Sequence, residues 1–366
     1  MRRAAFAVAA GAMAVSLAAC GSAKESGNKS SSSSSASKKG DNIKVGLLLP
    51  ENQTARYEKF DKPLIEKKVK ELTNGKGSVV YANAKQDASL QAQQVDTMVT
   101  QKVDVLIVDA VDSAAIKNSV QKAKDAGIPV VAYDRLAQGP ISGYTSFDNE
   151  TVGKTQGQAL LTALGSKAKS GDIVMMNGSV TDPNAAQFKK GALSVLQGKV
   201  NIGKSYDTKD WKPENANANM EAAISALGKN KIIGVYSAND GMAGGIITAL
   251  QAAGLKVPVT GQDAELDAVQ RIVTGTQYMS VYKPYPTEAN TVAEMAVDIA
   301  QGKDLSSVAP DKVDSPTNKG IPAKIISVYS LTKDNIKDTV IKDGIYTVSD
   351  ICTAQYKAAC DKIGLK

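Results

Sequence analysis

The sequence predicts an α/β protein of two doubly wound, parallel-sheet domains. Three observations carry this. Short β-branched runs alternate with amphipathic stretches from Ile43 onward, and the alternation restarts at Asp172. The third is length: 366 residues, at ~150 per domain, make room for two cores.

Taken in order, Ile43–Leu49 is apolar on both faces, as a strand covered on both sides must be. Tyr57–Leu72 reads as helix, Ser78–Ala84 as strand, Leu90–Gln101 as helix and Val103–Val108 as strand. In Ala114–Ala126, Ile116, Val120 and Ala123 share one helical face and Gly127 supplies the stop. Pro129–Tyr133 is the fourth strand. The series restarts with strand Asp172–Asn177, helix Pro183–Leu196, strand Val200–Ser205 and helix Pro213–Leu227. Strand Ile232–Tyr236, helix Gly241–Ala253 and strand Pro258–Gln262 complete it.

The amino terminus is different in kind. Arg2 and Arg3 precede an apolar run, Ala4 to Ala19, that is short for a membrane span of ~20 residues. It ends in Leu17-Ala18-Ala19-Cys20-Gly21, which resembles a bacterial lipobox and implies cleavage before Cys20 with lipid attachment to its sulfur. Residues 1–19 are thus expected as a lipoprotein signal and 20–42 as a lipidated cysteine with a flexible tether. Residues 21–40 hold nine serines, four lysines and one glutamate, too little apolar area to offset ordering entropy. Such a tether fits a one-membrane cell wall.

The formal charge of +7 belongs largely to this tail. Removing Arg2, Arg3, four tether lysines and Glu25 from 44 basic and 37 acidic residues leaves 38 against 36 from Asp41 onward. A nucleic-acid partner loses its support. The absence of histidine excludes Ser-His-Asp and Cys-His mechanisms and histidine-ligated metals. Three scattered cysteines do not make a zinc cluster. With Cys20 used, Cys352 and Cys360 remain. A disulfide between them, favoured by an exported location, requires a break in any helix joining them, since eight helical residues rise ~12 Å; two free thiols are the alternative.

Two motifs decide little alone. Gly198-Lys-Val-Asn-Ile-Gly203-Lys204-Ser205 matches the Walker A letters, but it follows a helix and alternates like a strand, so it lacks a P-loop's setting. No G-x-G-x-x-G occurs. More telling is a faint repeat: Gly127 with Ile-Pro-Val-Val-Ala-Tyr-Asp134 parallels Gly254 with Leu-Lys-Val-Pro-Val-Thr-Gly-Gln-Asp263. Each aspartate stands five residues after a proline at a strand's carboxyl end, where open α/β sheets bind ligands. Either alone reads as a helix cap or turn residue; as equivalents they suggest a cleft with one jaw per domain.

Polar clusters fall at other strand ends: Asp134-Arg135, Phe147-Asp148-Asn149-Glu150, Asp182-Pro183-Asn184, Ser237-Ala238-Asn239-Asp240, Gln262-Asp263 and Tyr282-Lys283-Pro284. They mix carboxylates, amides and cations, the partners a sugar hydroxyl needs because it both donates and accepts. Trp211, the only tryptophan, sits in the polar stretch Thr208–Asn219, where a platform for a sugar ring explains it better than core packing does. Arg56-Tyr57 follows the first strand and could face it.

These stretches resemble the type I periplasmic sugar-binding proteins of ABC importers from about Ile43 to Lys303. The matching segments are Ala-Tyr-Asp-Arg (132–135), Ser-Phe-Asp-Asn-Glu-Thr-Val-Gly (146–153), Ser-Ala-Asn-Asp-Gly-Met-Ala-Gly-Gly (237–245), Gly-Gln-Asp-Ala-Glu-Leu (261–266) and Gly-Thr-Gln-Tyr-Met-Ser-Val-Tyr-Lys-Pro (275–284). The resemblance implies two lobes joined by a three-strand hinge, residues 43–147 plus 284–320 and residues 148–283 plus 321–366, with crossings near Asp148, Lys283 and Ile321. It implies that Arg56, Asp134 and Arg135 hold sugar hydroxyls from the first lobe. Asp182, Asn184, Asn239, Asp263 and Lys283 would do so from the second, with Tyr57 and Trp211 sandwiching the ring. It implies D-xylose or a close aldose as ligand, an ABC permease and its ATPase as partners, a monomer, and neither chemistry nor cofactor nor metal. Departures touch the choice of sugar: Tyr57 replaces an expected tryptophan, and Pro183 an asparagine.

Ribose, galactose or a furanosyl signal stay open as ligands, as does a sensory receptor serving a chemotaxis or kinase partner. An enzyme reading would pair Asp134 with Asp263 as glycosidase carboxylates ~5–10 Å apart. Against it, Arg135 and Lys283 should keep both acids ionised, whereas a general acid needs a raised pKa.

Overall fold

The structure, a computed structural model, describes residues 40–366. The expected signal, Cys20 and the tether up to residue 39 lie outside the described residues.

Five strands come first: β1 (Lys44–Leu49), β2 (Ser78–Asn83), β3 (Val105–Val108), β4 (Val130–Tyr133) and β5 (Gly143–Phe147). Helices α1 (Lys62–Leu72), α2 (Ala88–Thr100) and α3 (Lys117–Asp125) make the crossovers between the first four, and α4 (Asn149–Leu164) follows β5. β3, β4 and β5 are buried along their whole length, whereas β2, at the sheet edge, is half exposed. That is why β3 and β4 read as continuous apolar runs, whereas β5 is buried with Thr145 and Ser146 inside it. The second series holds α5 (Pro183–Leu196), α6 (Pro213–Leu227) and α7 (Asp240–Ala252) around β6 (Asp172–Asn177), β7 (Asn201–Asp207) and β8 (Ile232–Ser237). The Walker-like letters fall across edge strand β7 and the turn before it. No helix opens after Lys204 and Ser205, so their backbone cannot cradle a phosphate.

Beyond these come α8 (Leu266–Thr274), β9 (Ser280–Tyr282), α9 (Tyr285–Ala300), β10 (Asp311–Val313), β11 (Ile321–Ile326), β12 (Tyr329–Leu331), α10 (Val348–Ile351) and α11 (Lys357–Lys362). The first sheet runs β10-β11-β5-β4-β3-β1-β2, parallel except at β10. The second runs β7-β6-β8. The Pro258–Gln262 segment extends it: Thr260 N–H donates to the Val235 carbonyl and Val281 N–H to that of Gly261, which brings in β9 and its antiparallel partner β12.

The chain crosses between the lobes after Phe147, after Tyr282 and after Ile326. The third crossing corrects the expected boundary at Ile321. Ala323–Ile326 pairs with Tyr144–Phe147, so β11 belongs to the first sheet, and the second lobe resumes only at β12. The crossings lie side by side, with Asp148 N–H donating to the Ile326 carbonyl at 3.0 Å. Beneath them Phe147, Tyr282, Tyr285 and Ile326 form one apolar cluster with the C-terminal segment. There Cys352 and Cys360 are joined by a disulfide, possible because α10 ends at Ile351 and the chain turns before α11.

In the second lobe α4 and α5 touch backbone to backbone. A Cβ on Gly153 would lie 1.9 Å from the Phe188 carbonyl oxygen, and one on Gly191 would lie 2.0 Å from that of Glu150. This close approach fixes α5, whose amino end carries site residues.

Candidate functional site

The carboxyl ends of the strands of both lobes converge on one buried polar cavity. It is lined by Thr54, Tyr57, Asp134, Arg135, Asp182, Asn184, Phe188, Trp211, Asn239, Gln262, Asp263 and Lys283. Larger hollows exist, such as one of about 590 Å³ around Tyr278 and Thr332, but its lysines are exposed and its chemistry is that of an ordinary surface.

The two equivalent aspartates end their strands in left-handed backbone, Asp134 at φ 54° and Asp263 at φ 93°. Non-glycine residues avoid this region, and such strain gathers at functional positions. Neither caps a helix. Capping falls to their neighbours across the cavity: Asp182 Oδ1 accepts from Asn184 N–H at 2.8 Å, and Asn239 Oδ1 accepts from Met242 N–H at 2.9 Å.

The lobes meet directly here. Arg135 Nε lies 2.9 Å from Asp182 Oδ2. Asn184 Nδ2 donates to Asp134 Oδ1 and to its carbonyl, both at 3.2 Å. Outside the cavity, Ala55 N–H donates to Glu265 Oε1 at 3.3 Å and Ser113 N–H to the Thr181 carbonyl at 3.4 Å. In this closed arrangement the cavity measures about 20 Å³, the room of one water. Admitting a six-membered ring requires the lobes to part.

Asp134 accepts from the Tyr57 hydroxyl at 3.2 Å. Burial alone would raise its carboxyl, but Lys283, Arg56 and Arg135 outweigh burial and hold it below the usual range. Burial raises Asp182 and, further, Asp109, against the pull of Arg135. Lys283 Nζ is 2.7 Å from Asp263 Oδ1; burial would lower the amine, and Asp263 with Asp134 raises it instead.

Trp211 is 5% exposed, edge-on to Phe188 with ring centroids 6.3 Å apart. Its backbone is also left-handed, φ 57°. The ring lies against Gly178, where a Cβ would come within 1.9 Å of it. Only glycine lets the indole reach the cavity wall. Five buried polar atoms on the lining residues have no hydrogen-bond partner. Arg135 Nε and Asp263 Oδ1 are in ion pairs. The acceptors Asn184 Oδ1 and Gln262 Oε1 and the donor Trp211 Nε1 are not. Buried polar groups are otherwise paired. The cavity therefore offers donors and acceptors together, beside aromatic faces.

Nine of the ten expected binding residues line this cavity. Arg56 does not: it lies behind Asp134, engaged by Asp61 and Glu288. Thr54, Phe188 and Gln262 line the cavity without having been expected to. Phe188 reads as a core residue of α5, and Thr54 sits in an irregular loop with no periodicity. Gln262 carries a signal, since it adjoins Asp263 in a polar strand end. Among the described residues, no cluster of carboxylates and thiols is placed to hold a metal, and no helix is long and apolar enough to cross a membrane.

Two lobes, three crossings and a polar cavity between opposed strand ends define a type I periplasmic binding fold. Residues 45–304 match the family model for the periplasmic binding protein domain, and the chain belongs to that family. More particularly, it is similar to the D-xylose-binding periplasmic protein of Escherichia coli K12, 38% identical over 320 residues, covering 84% of this chain and 92% of that protein. A multiple sugar-binding periplasmic protein of Azospirillum brasilense is 33% identical, with 84% and 90% covered. Among solved structures, an ABC transporter solute-binding protein from Clostridium phytofermentans with bound β-D-glucose superposes with a TM-score of 0.77. It is 27% identical, and the match covers 84% of this chain and 99% of that one.

Proposed function

We propose that the protein is an extracytoplasmic receptor that captures D-xylose, or a close aldose, between its lobes and delivers it to an ABC permease and its ATPase. It is held at the membrane by a lipid on Cys20, works as a monomer, and does no chemistry. The observation that carries the sugar reading is the set of unpaired buried donors and acceptors beside Trp211 and Tyr57. Hydroxyls satisfy both kinds of atom, and the ring's C–H face suits the indole. Closure then follows from contacts to both jaws at once. Xylose is favoured by the names of the D-xylose-binding relatives. The paired-carboxylate reading is disfavoured by the low Asp134 carboxyl and by Lys283 on Asp263.

A second reading keeps the mechanism and changes the sugar, supported by the multiple-sugar and glucose-bound relatives. Isothermal titration of residues 41–366 against xylose, ribose, glucose, galactose and arabinose tests both. Selective heat with xylose supports the first, tight heat with another sugar the second. Silence with all five, from folded protein, removes the sugar reading.

A further inference from the structure

Arg56 is 1% exposed, and its surroundings define a role other than ligand contact. Nε donates to Asp61 at 2.8 Å, and Nη2 donates to Glu288 and, at 3.2 Å, to the Tyr133 hydroxyl. Nη1 has no hydrogen-bond partner and lies 3.6 Å from Asp134 Oδ2. Cζ stands 4.6 Å above the Tyr285 ring and 5.5 Å from that of Phe147. Phe147 ends β5 just before the first crossing, and Tyr285 and Glu288 open α9 just after the second.

Three carboxylates thus share one guanidinium. Asp61 and Glu288 hold it directly; Asp134 feels its charge but stays outside bonding distance. A guanidinium seated on Asp134 would occupy the lone pairs that a ligand hydroxyl needs. Resting on the sugar-binding reading, we infer that Asp61 and Glu288 are positioning residues: they hold Arg56 back, keep the Asp134 carboxylate facing the cavity, and thereby set discrimination at the hydroxyl that Asp134 accepts. Neutralising Glu288 releases Nη2, lets Arg56 swing onto Asp134, and withdraws that acceptor.

The test uses the purified full chain, the aldose that binds best, and its monodeoxy analogues. The hydroxyl held by Asp134 is the one whose deletion costs nothing further in Asp134→Asn. In Glu288→Gln the penalty for deleting that same hydroxyl shrinks at least several-fold, while penalties at the other hydroxyls stay. All penalties intact, with only the melting temperature changed, would overturn the inference. Should Glu288→Gln fail to fold, Tyr133→Phe removes one oxygen from Arg56 and little volume; a narrowed penalty at the same hydroxyl supports positioning, an unchanged one refutes it. A crystal structure of Glu288→Gln separates the two readings. If wild type binds no sugar, the sugar reading fails, yet Arg56 Nη1 found about 2.7–2.9 Å from Asp134 retains the positioning role. An unmoved Arg56 removes it.

Discussion

On the first lobe, Asp134 ends β4 with Arg56, Arg135, Asp61, Asp109 and Glu288 buried around it. On the second, Asp263 ends the equivalent segment with a single cationic partner, Lys283, among Asn239, Gln262 and Trp211. The first jaw is ionic, and each charge there is held by several others. The second holds one buried ion pair, Lys283 with Asp263, among amides, helix caps and aromatic rings. A buried ionic cluster tolerates no unbalanced removal, because the charges left behind stay desolvated. Amides and rings can be exchanged at the cost of individual hydrogen bonds or contacts. Substitutions should therefore be tolerated better on the second jaw than on the first.

The largest expected effect comes from Asp134→Ala. It strips a counter-ion from Arg56, Arg135 and Lys283, and should cost about 3–5 kcal/mol of stability as well as all binding. The matching change on the second jaw, Asn239→Ala, loses a helix cap and should cost about 1 kcal/mol. Denaturant unfolding compares them; equal costs would end the distinction between the jaws.

Next come changes at the indole. Trp211→Ala should weaken sugar binding by about 1–3 kcal/mol with folding intact. Gly178→Ala should reach a similar loss with the tryptophan retained, because its methyl displaces the ring. Unchanged affinity in either, by titration, would take Trp211 out of the site.

The smallest effect is on pH dependence, and both lobes contribute. Burial lifts the Asp61 carboxyl to about 6, despite Arg56, and that of Asp240 to about 7, despite Arg271. In the unfolded chain both titrate near ~3.9. Between these values the native protein binds protons that the unfolded chain does not, so stability rises as the pH falls from about 8 toward about 4. Asp134, held low, opposes this only below its ordinary range. The melting temperature should be higher near pH 5.5 than near pH 8; an equal or lower value at pH 5.5 would show that neither acid is raised.

Much of this was legible in the residues. The alternation from Ile43 to Tyr133 and from Asp172 to Gln262 was legible because each strand and helix has its own period. Between them β5 and α4 were missed: β5 is Gly-Tyr-Thr-Ser-Phe, buried but without an apolar run. Asp134 and Asp263 were legible through their matched distance from a proline. What the sequence withheld was pairing. Ile321–Ile326 has the same pattern in either sheet, and only its hydrogen bonds to β5 assign it to the first. Arg56 adjoins Tyr57 in the chain, yet Asp61 and Glu288 turn it away, and Glu288 is brought there by a helix from the far end of the lobe. Phe188 was hidden because a ring on a helix's buried face looks the same whether core or cavity lies beyond it.

Trp211 carries one more consequence. It is the only tryptophan in the chain, and it is buried at the meeting of the two jaws, beside Phe188 and across from Tyr57. Its intrinsic fluorescence, excited at the red edge where tyrosine is silent, comes from this one place. Every opening, closure or occupation of the cleft should therefore change the emission of the unlabelled protein, with no background from elsewhere in the fold.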